Sequence, residues 1–165
     1  RVVLLRAGRV EQDGSARDIY QRPATVYAAD FIGGVNRFAG KIKRAVQKAE
    51  GSGLLVEFDN GMALPVLHQA SFSPGDSVSV LVRANRVRLL GKKPNVQDSN
   101  EIVLPFTATS TLYRGEDTEI FGGTPLGEAK VISQNIPSGE ETYIGFSAMD
   151  CRCLPVQTTP LSSEK

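Results

Sequence analysis

The sequence predicts a mainly β protein built from small barrels, preceded by a short β-β-α-α segment. Beyond residue 34 the helical period is lost, and short apolar runs separated by turn residues continue along the chain. Residues 75–90 also align without gaps on residues 139–154. Hydrophobic residues make up 41% of the chain and charged residues 22%, which is ordinary for a folded domain.

The first 34 residues predict two strands followed by two helices. Ser15 caps the first helix, and Pro23 ends it and opens the second, because the residue before a proline is disfavoured in the α region. The second helix places Tyr27 and Phe31 one turn apart on one face. It ends at Gly33-Gly34, where glycine accepts the left-handed conformation.

Strands are predicted wherever alternating apolar residues lie between turn residues. Their ranges are 2–5, 9–12, 38–46, 54–59, 62–66, 77–83, 86–90, 102–113, 118–121, 128–132, 142–146 and 151–154. Asn60-Gly61 joins two of them and is typical of a type I′ hairpin, in which both central residues have positive φ. Residues 91–100 are rich in Gly, Pro, Asn, Ser and charge, and predict a linker.

The aligned stretches predict two related β units. Four of the sixteen aligned positions are identical, and apolar positions alternate in the same phase in both copies. Units of about 60 residues with five short strands match small Greek-key barrels of the OB type. The predicted organisation is a β-β-α-α segment, two OB-like units and a polar tail. Their ranges are 1–34, 35–93, 101–156 and 157–165.

Composition and charge restrict the class of protein. The longest apolar runs, 2–5 and 62–67, are much shorter than the roughly 18 residues that cross a bilayer. With two cysteines there is no disulfide framework, so we expect a cytoplasmic protein. The chain opens at Arg1 without an initiator Met or a signal segment, and we expect it to be a piece of a longer protein.

The net charge of +1 hides an asymmetry. Residues 1–36 carry 5 basic and 4 acidic side chains, residues 37–93 carry 10 and 4, and residues 94–165 carry 4 and 10. Blocks of opposite sign favour two segments that face each other, or separate surfaces for separate partners. We expect salt-sensitive packing between the second and third blocks, within or between chains.

Few residue types could carry catalysis or bind a metal. Cys151 and Cys153 align with Val87 and Leu89 of the first repeat, which favours buried core positions over a zinc site. Two strand residues at i and i+2 lie about 6.6 Å apart with parallel Cβ vectors, which is too far for a disulfide. His68 is the sole histidine, and no catalytic pattern of Ser, Cys or Asp surrounds it.

Other short patterns have ordinary structural interpretations. Glycines at 33–34, 51–53 and 122–123 lack the Gly-Lys-Ser/Thr of a phosphate loop, and we interpret them as turns. Adjacent acids at 116–117 and 140–141 are typical of solvated turns. The sequence therefore predicts no catalytic, cofactor-binding or metal-binding residue.

Nucleic-acid binding is an alternative that the basic block leaves open. Its cationic side chains could line an oligonucleotide groove on an OB-type barrel. They are Arg37, Lys41, Lys43, Arg44, Lys48, Arg83, Arg86, Arg88, Lys92 and Lys93. The chain has no Trp, and aromatic residues make up 7% of it, so platforms for base stacking are few.

Residues 8–33 resemble a known family. The chain reads GRVEQDG at 8–14, DIYQRPA at 18–24 and YAADFIG at 27–33. These residues resemble the end of the nucleotide-binding domain in ABC importer ATPases, within the subfamily that energises uptake of polyamines, ferric iron, sulfate and sugars. The positions that match the family without gaps are Gln12, Gly14, Tyr20, Pro23, Phe31 and Gly33.

Later matches are similar to the regulatory region that follows in that family, a region of transport-associated OB (TOBE) modules. Residues 82–89 are similar to its Val-Arg-Pro-Glu strand end, with Ala84 in place of the usual Pro. Residues 112–115 are similar to its Tyr-Leu-Gly turn, with Arg114 in place of the usual Leu. Residues 31–36 are closer to the polyamine and iron branches than to the sugar branch.

The resemblance implies a regulatory and dimer-contact region of an importer ATP-binding subunit. Its implied partners are a second copy of the subunit and membrane permease subunits, at the inner face of the cell membrane, with no nucleic acid. The phosphate loop, signature motif, Walker B carboxylates and switch histidine of the family do not occur in this chain. We therefore expect no ATP hydrolysis and no cofactor in this chain, with ATP and Mg²⁺ bound by the longer parent.

Overall fold

The structure, a computed structural model, describes residues 1–48, 51–66, 72–95, 100–134 and 142–156. Strands dominate these ranges, which confirms the predicted mainly β class. The strands are β1 (Val2–Arg6), β2 (Arg9–Gly14), β3 (Val35–Lys48), β4 (Gly51–Glu57), β5 (Ala63–Val66), β6 (Ser77–Arg83), β7 (Arg88–Leu90), β8 (Glu101–Tyr113), β9 (Thr118–Thr124), β10 (Gly127–Ser133), β11 (Thr142–Ser147) and β12 (Arg152–Pro155). The helices are α1 (Ala16–Gln21) and α2 (Val26–Phe31), and 3-10 turns lie at Ala84–Arg86 and Ala148–Asp150.

Strands β3 to β12 form two antiparallel five-stranded sheets, which we call the β body. The first sheet has the order β12-β6-β3-β4-β5, and the second has the order β10-β9-β8-β11-β7. A long strand lies at the centre of each, β3 in the first and β8 in the second, and each long strand carries a register shift. A bulge of this kind bends a strand and increases its twist.

Each sheet takes one edge strand from the other half of the chain. β12 pairs with β6 through Arg152↔Leu81 and Cys153↔Val80, and β7 pairs with β11 through Arg88↔Gly145. Adding 64 to Leu81 gives Gly145, and adding 64 to Arg88 gives Arg152, so the two pairings reproduce the offset of the sequence repeat. The two copies of the repeat therefore exchange their last strands. The boundaries at 35–93 and 101–156 remain a prediction.

One apolar core serves both sheets. Phe38 on β3 and Phe146 on β11 stack with ring centroids 6.4 Å apart, and both are almost fully buried. The same buried cluster contains Val56, Leu104 and Val131, which come from β4, β8 and β10. Buried apolar area of this extent is the main source of stability for a domain.

The N-terminal segment, residues 1–34, lies beside this body. β1 and β2 form a hairpin, and Ala7 and Gly8 at its turn have φ of 48° and 76°. Ser15 caps α1 as predicted, with its hydroxyl oxygen accepting the Asp18 N–H. The helices of the described ranges are too short to cross a bilayer.

Three local predictions were wrong. α2 begins at Val26 instead of Pro23, because the Thr25 hydroxyl accepts the Ala28 N–H and caps it. Residues 84–86 form a 3-10 turn, so β7 is shorter than the predicted strand at 86–90. The Asn60-Gly61 hairpin forms, but Gly61 alone has positive φ there, which fits a three-residue loop with a bulge better than a type I′ turn.

Two glycine clusters predicted as turns lie inside strands. Glycines 51 and 53 are in β4, and 122 and 123 are in β9. A Cβ atom on Gly122 would lie 2.4 Å from the Thr107 carbonyl oxygen and 2.5 Å from the Phe106 ring. Glycine is therefore required there by close packing rather than by a turn. His68, residues 96–99 of the predicted linker, the acids at 140–141 and the tail at 157–165 lie outside the described residues.

Candidate functional site

Arg83, the last residue of β6, joins the β body to the N-terminal segment. Its Nη1 donates hydrogen bonds to the Ala29 carbonyl at 2.5 Å and to the Gly33 carbonyl at 3.2 Å. Its Nη2 donates to the Tyr20 carbonyl at 2.8 Å. Carbonyls at the end of a helix lack partners within that helix, and the helix dipole favours a cation there. One guanidinium therefore holds the C-terminal ends of both helices.

The Tyr20 side chain extends this contact. Arg83 Cζ lies 4.3 Å from the centroid of the Tyr20 ring, in cation–π geometry. The Tyr20 hydroxyl lies 3.4 Å from Asn85 Oδ1, so α1 also contacts the 3-10 turn that follows β6. Burial lowers the pKa of the Arg83 guanidinium, and nearby Tyr20 and Asp30 oppose that shift. Arginine remains charged at physiological pH, so the clamp is permanently cationic.

β2 holds the two helices in the position that Arg83 requires. Gln12 Nε2 donates to the Arg22 carbonyl at 3.0 Å, and Gln12 Oε1 accepts the Ala24 N–H at 2.9 Å. The Thr25 hydroxyl that caps α2 donates to Glu11 Oε1 at 2.5 Å. These contacts, all within the N-terminal segment, fix the turn between α1 and α2.

Several positions that carry the family resemblance meet at this junction. Tyr20 and Gly33 offer carbonyls to Arg83, and Gln12 holds the turn between the helices. Pro23 lines a cleft beside them. Phe31 stacks on Tyr27 with centroids 5.8 Å apart, as the helical spacing predicts, and its side chain is 64% exposed. The spacing of the motif thus places Tyr20 and Gly33 where their carbonyls contact Arg83 of the β body.

The cleft between the N-terminal segment and the β body has a volume of about 310 Å³. Arg22 borders it from the helical side, Arg86 borders it from the 3-10 turn that follows β6, and Arg152 borders it from β12. Asp150 is the carboxylate at its edge, with Oδ1 3.9 Å from Arg86 Nε. The cleft has an excess of positive charge.

Asn36 forms a second link, between the two sheets. Its Nδ2 donates to the Lys130 carbonyl at 2.8 Å, and its Oδ1 accepts the Lys130 N–H at 2.6 Å. Asn36 is 3% exposed, so its amide completes backbone hydrogen bonding in a buried place. The start of β3 is thereby fixed to β10.

The two cysteines are buried core residues, as the repeat predicts. Cys151 and Cys153 are both 0% exposed and both free. Burial raises the pKa of Cys153 to about 12, and it also raises the pKa of Cys151. The thiolate is the reactive form, so low thiol reactivity stays a prediction with a physical reason.

The oppositely charged blocks pack against each other within one chain. Two ion pairs between described residues connect them, Arg86 with Asp150 at 3.9 Å and Arg88 with Glu101. The arginine side chains of both pairs are more than 60% exposed. Most of the contact is strand exchange and apolar core, so the structure favours weak salt sensitivity, in contrast to the salt-sensitive packing that the charge blocks predict.

Sequence reasoning placed Arg83 in the basic block and at a family-like strand end, but it did not identify the helix clamp. The contact joins residues 54 and 63 positions apart, so it has no local pattern. Asn36 gave no such signal either, because it is one of several polar residues along β3. Within the described ranges no group of three or more His, Cys, Asp or Glu side chains could hold a metal ion.

No family model matches the chain. Among solved structures, it is similar to the cytoplasmic molybdate-binding protein ModG, with a TM-score of 0.61 over 72% of this chain and 94% of that one, at 15% identity. That likeness concerns the fold, and it confirms the predicted OB-type architecture.

The curated sequence relatives of the chain include proteins of one kind from different organisms. The spermidine/putrescine import ATP-binding protein PotA of Roseobacter denitrificans is 33% identical over 130 residues, which are 76% of this chain and 33% of that protein. PotA of Nitratidesulfovibrio vulgaris is 40% identical over 90 residues, 54% of this chain and 23% of that protein. The chain thus spans at most about a third of these relatives. It is a homologue of ATP-binding subunits of spermidine/putrescine importers.

Proposed function

We propose that this chain is the C-terminal regulatory region of the ATP-binding subunit of an ABC importer, with polyamines as the solute class. The homology to spermidine/putrescine import ATP-binding proteins over 54–81% of the chain carries this proposal. In the parent protein, ATP and Mg²⁺ bind outside this region, and permease subunits contact the parent at the cytoplasmic face of the membrane. This chain alone hydrolyses no ATP.

The Arg83 clamp supports a regulatory role. Residues 1–34 belong to the nucleotide-binding part in this proposal, and residues 35–93 and 101–156 form the two OB-like units. Arg83 is then the side chain through which the units hold the end of the nucleotide-binding part. Three hydrogen bonds join the two sides, so a displacement of one side that keeps these bonds also moves the other, and the junction can pass conformational change between them.

We also propose that the protein dimerises. Two copies of the ATP-binding subunit associate, and the β body helps to hold them in register. The alternative, a free-standing oligonucleotide-binding protein, predicts micromolar binding of single-stranded DNA with a steep dependence on salt.

A chimaera tests the proposed function directly. The matching 130-residue stretch of the Roseobacter denitrificans subunit is replaced by this chain, and spermidine uptake is measured in cells that lack their own subunit. The control chimaera carries the matching stretch of the Nitratidesulfovibrio vulgaris relative. We expect uptake with both. Uptake with the control alone, at equal protein levels, would contradict the proposal.

A further inference from the structure

The cleft at the junction has the composition of an anion site. Arg22, Arg86 and Arg152 line it, and Asp150 is the one carboxylate among its described lining residues. Arg83 also lines it, but its guanidinium is engaged with the helix carbonyls. The three other arginines therefore give the cleft a net positive charge.

The guanidinium N–H groups of these arginines are available to a ligand. The side chains of Arg22 and Arg152 have no hydrogen-bond or ion-pair partner within the described part of the chain. Arg86 approaches Asp150 at 3.9 Å, which is beyond hydrogen-bond distance. A guanidinium presents a planar fork of donors that matches phosphate oxygens, and several of them around one cleft favour a dianion.

The cleft also has room and an apolar wall. Its volume of about 310 Å³ is at the lower end of the range for small-molecule sites. Val35, Leu81 and Met149 line it together with the arginines, and the Met149 side chain is 55% exposed. A wall of this kind accommodates the body of a ligand whose charged group lies on the arginines.

We propose that this cleft binds a dianionic phosphate group, either free or carried on a small phosphate monoester. Arg86 and Arg152 belong to the β body and Arg22 to the N-terminal segment, so one bound phosphate contacts both sides of the junction. Binding strengthens the attachment that Arg83 provides. That regulatory consequence rests on the proposed function, whereas the binding itself does not.

The test uses inorganic phosphate and phenyl phosphate as probes, with binding to this chain measured by calorimetry in low-chloride buffer. We expect Arg86→Ala and Arg152→Ala to weaken binding at least about tenfold. Arg44→Ala is the matched control, because Arg44 is an exposed arginine on β3 outside the cleft, and it should leave affinity within about twofold. Tighter binding of phenyl phosphate identifies a monoester, and equal binding identifies free phosphate.

Each variant is first checked for an unchanged melting temperature. Arg152→Lys serves as a second variant at that position, because it keeps the positive charge but removes the planar guanidinium. Equal weakening by Arg44→Ala would show nonspecific attraction and overturn the proposal. If neither inorganic phosphate nor phenyl phosphate binds at about 10 mM, the proposal is also overturned. Uptake by the chimaera is a separate readout, so the binding site and the transport role can fail independently.

Discussion

The two copies of the repeated strand–turn–strand differ at a position that decides which copy contacts the N-terminal helices. β6, its 3-10 turn and β7 match β11, its 3-10 turn and β12 in register, and Ala84 and Ala148 are buried at the same point. At the last residue before the turn, however, the first copy has Arg83 and the second has Ser147. Arg83 reaches two helices, whereas the Ser147 hydroxyl accepts the nearby Met149 N–H at 3.2 Å.

Strand exchange and attachment of the N-terminal segment therefore depend on different residues. The exchange of edge strands requires similar backbones and similar apolar positions in both copies, and both are present. The attachment to the N-terminal segment requires one long cationic side chain in one copy. Substitutions at matched positions of the two copies can therefore distinguish the two requirements.

The largest effect is expected from Arg83→Ala. Loss of the guanidinium leaves two helix carbonyls and the Gly33 carbonyl just after α2 without their donor, and hydrogen bonds to charged groups are the stronger ones. We expect a loss of about 3 kcal/mol in the free energy of unfolding, measured by urea denaturation. The matched change Ser147→Ala should cost about 1 kcal/mol or less, since it removes a single local cap. Equal losses in the two variants would contradict a special role for the first copy.

A smaller effect is expected from Asn36→Ala, which removes the link between the sheets. The Lys130 N–H and carbonyl would lose their buried partner, at a cost of about 2 kcal/mol in the free energy of unfolding. Asn85→Ala is the control, because Asn85 is exposed and its contact with Tyr20 is long. The interpretation fails if both variants lose the same stability.

The buried cysteines make the stability of the protein depend on pH in the alkaline range. Burial raises the Cys151 pKa above its ordinary value of 9.0, so the folded state keeps the proton that the unfolded state releases. Stability is therefore full below about pH 9 and falls as pH rises further. Between pH 7 and pH 10 we expect Cys151→Val, which copies Val87, to lose about 1.4 kcal/mol less than the natural protein. Parallel pH profiles in chemical denaturation would refute buried thiols as the cause.

The smallest effect is expected from salt. The ion pairs that connect the basic and acidic blocks, Arg86–Asp150 and Arg88–Glu101, have exposed arginines, and such pairs contribute about 0–1 kcal/mol. The thermal midpoint should therefore change little between low and high NaCl. A large drop at high salt would mean that charge, rather than the shared core, holds the blocks together.

Much of this architecture is readable in the sequence because it depends on alternation and repetition. The gapless alignment of 75–90 with 139–154 already contains the register of both exchanged strands, and it correctly places Cys151 and Cys153 in the core. Alternation cannot reveal which sheet a strand joins, since β7 and β12 would alternate in the same way in either sheet. Strand exchange is therefore visible only in the structure.

The junction was less predictable for a similar reason. The resemblance marked Tyr20 and Gly33 through their spacing, but their carbonyls are backbone atoms and leave no trace in residue type. Turn chemistry was also decided by contacts distant in sequence. Asn60 Nδ2 donates to the Pro125 carbonyl at 2.7 Å, a contact that no local pattern in the hairpin indicates.

Hydrogen exchange measured by mass spectrometry shows whether Arg83, and not the matched Ser147, holds the N-terminal segment. We expect faster exchange across α1 and α2 in Arg83→Ala, with unchanged exchange across β11 and β12, and no change in either region in Ser147→Ala. Unchanged protection of the helices in Arg83→Ala would contradict this role of Arg83.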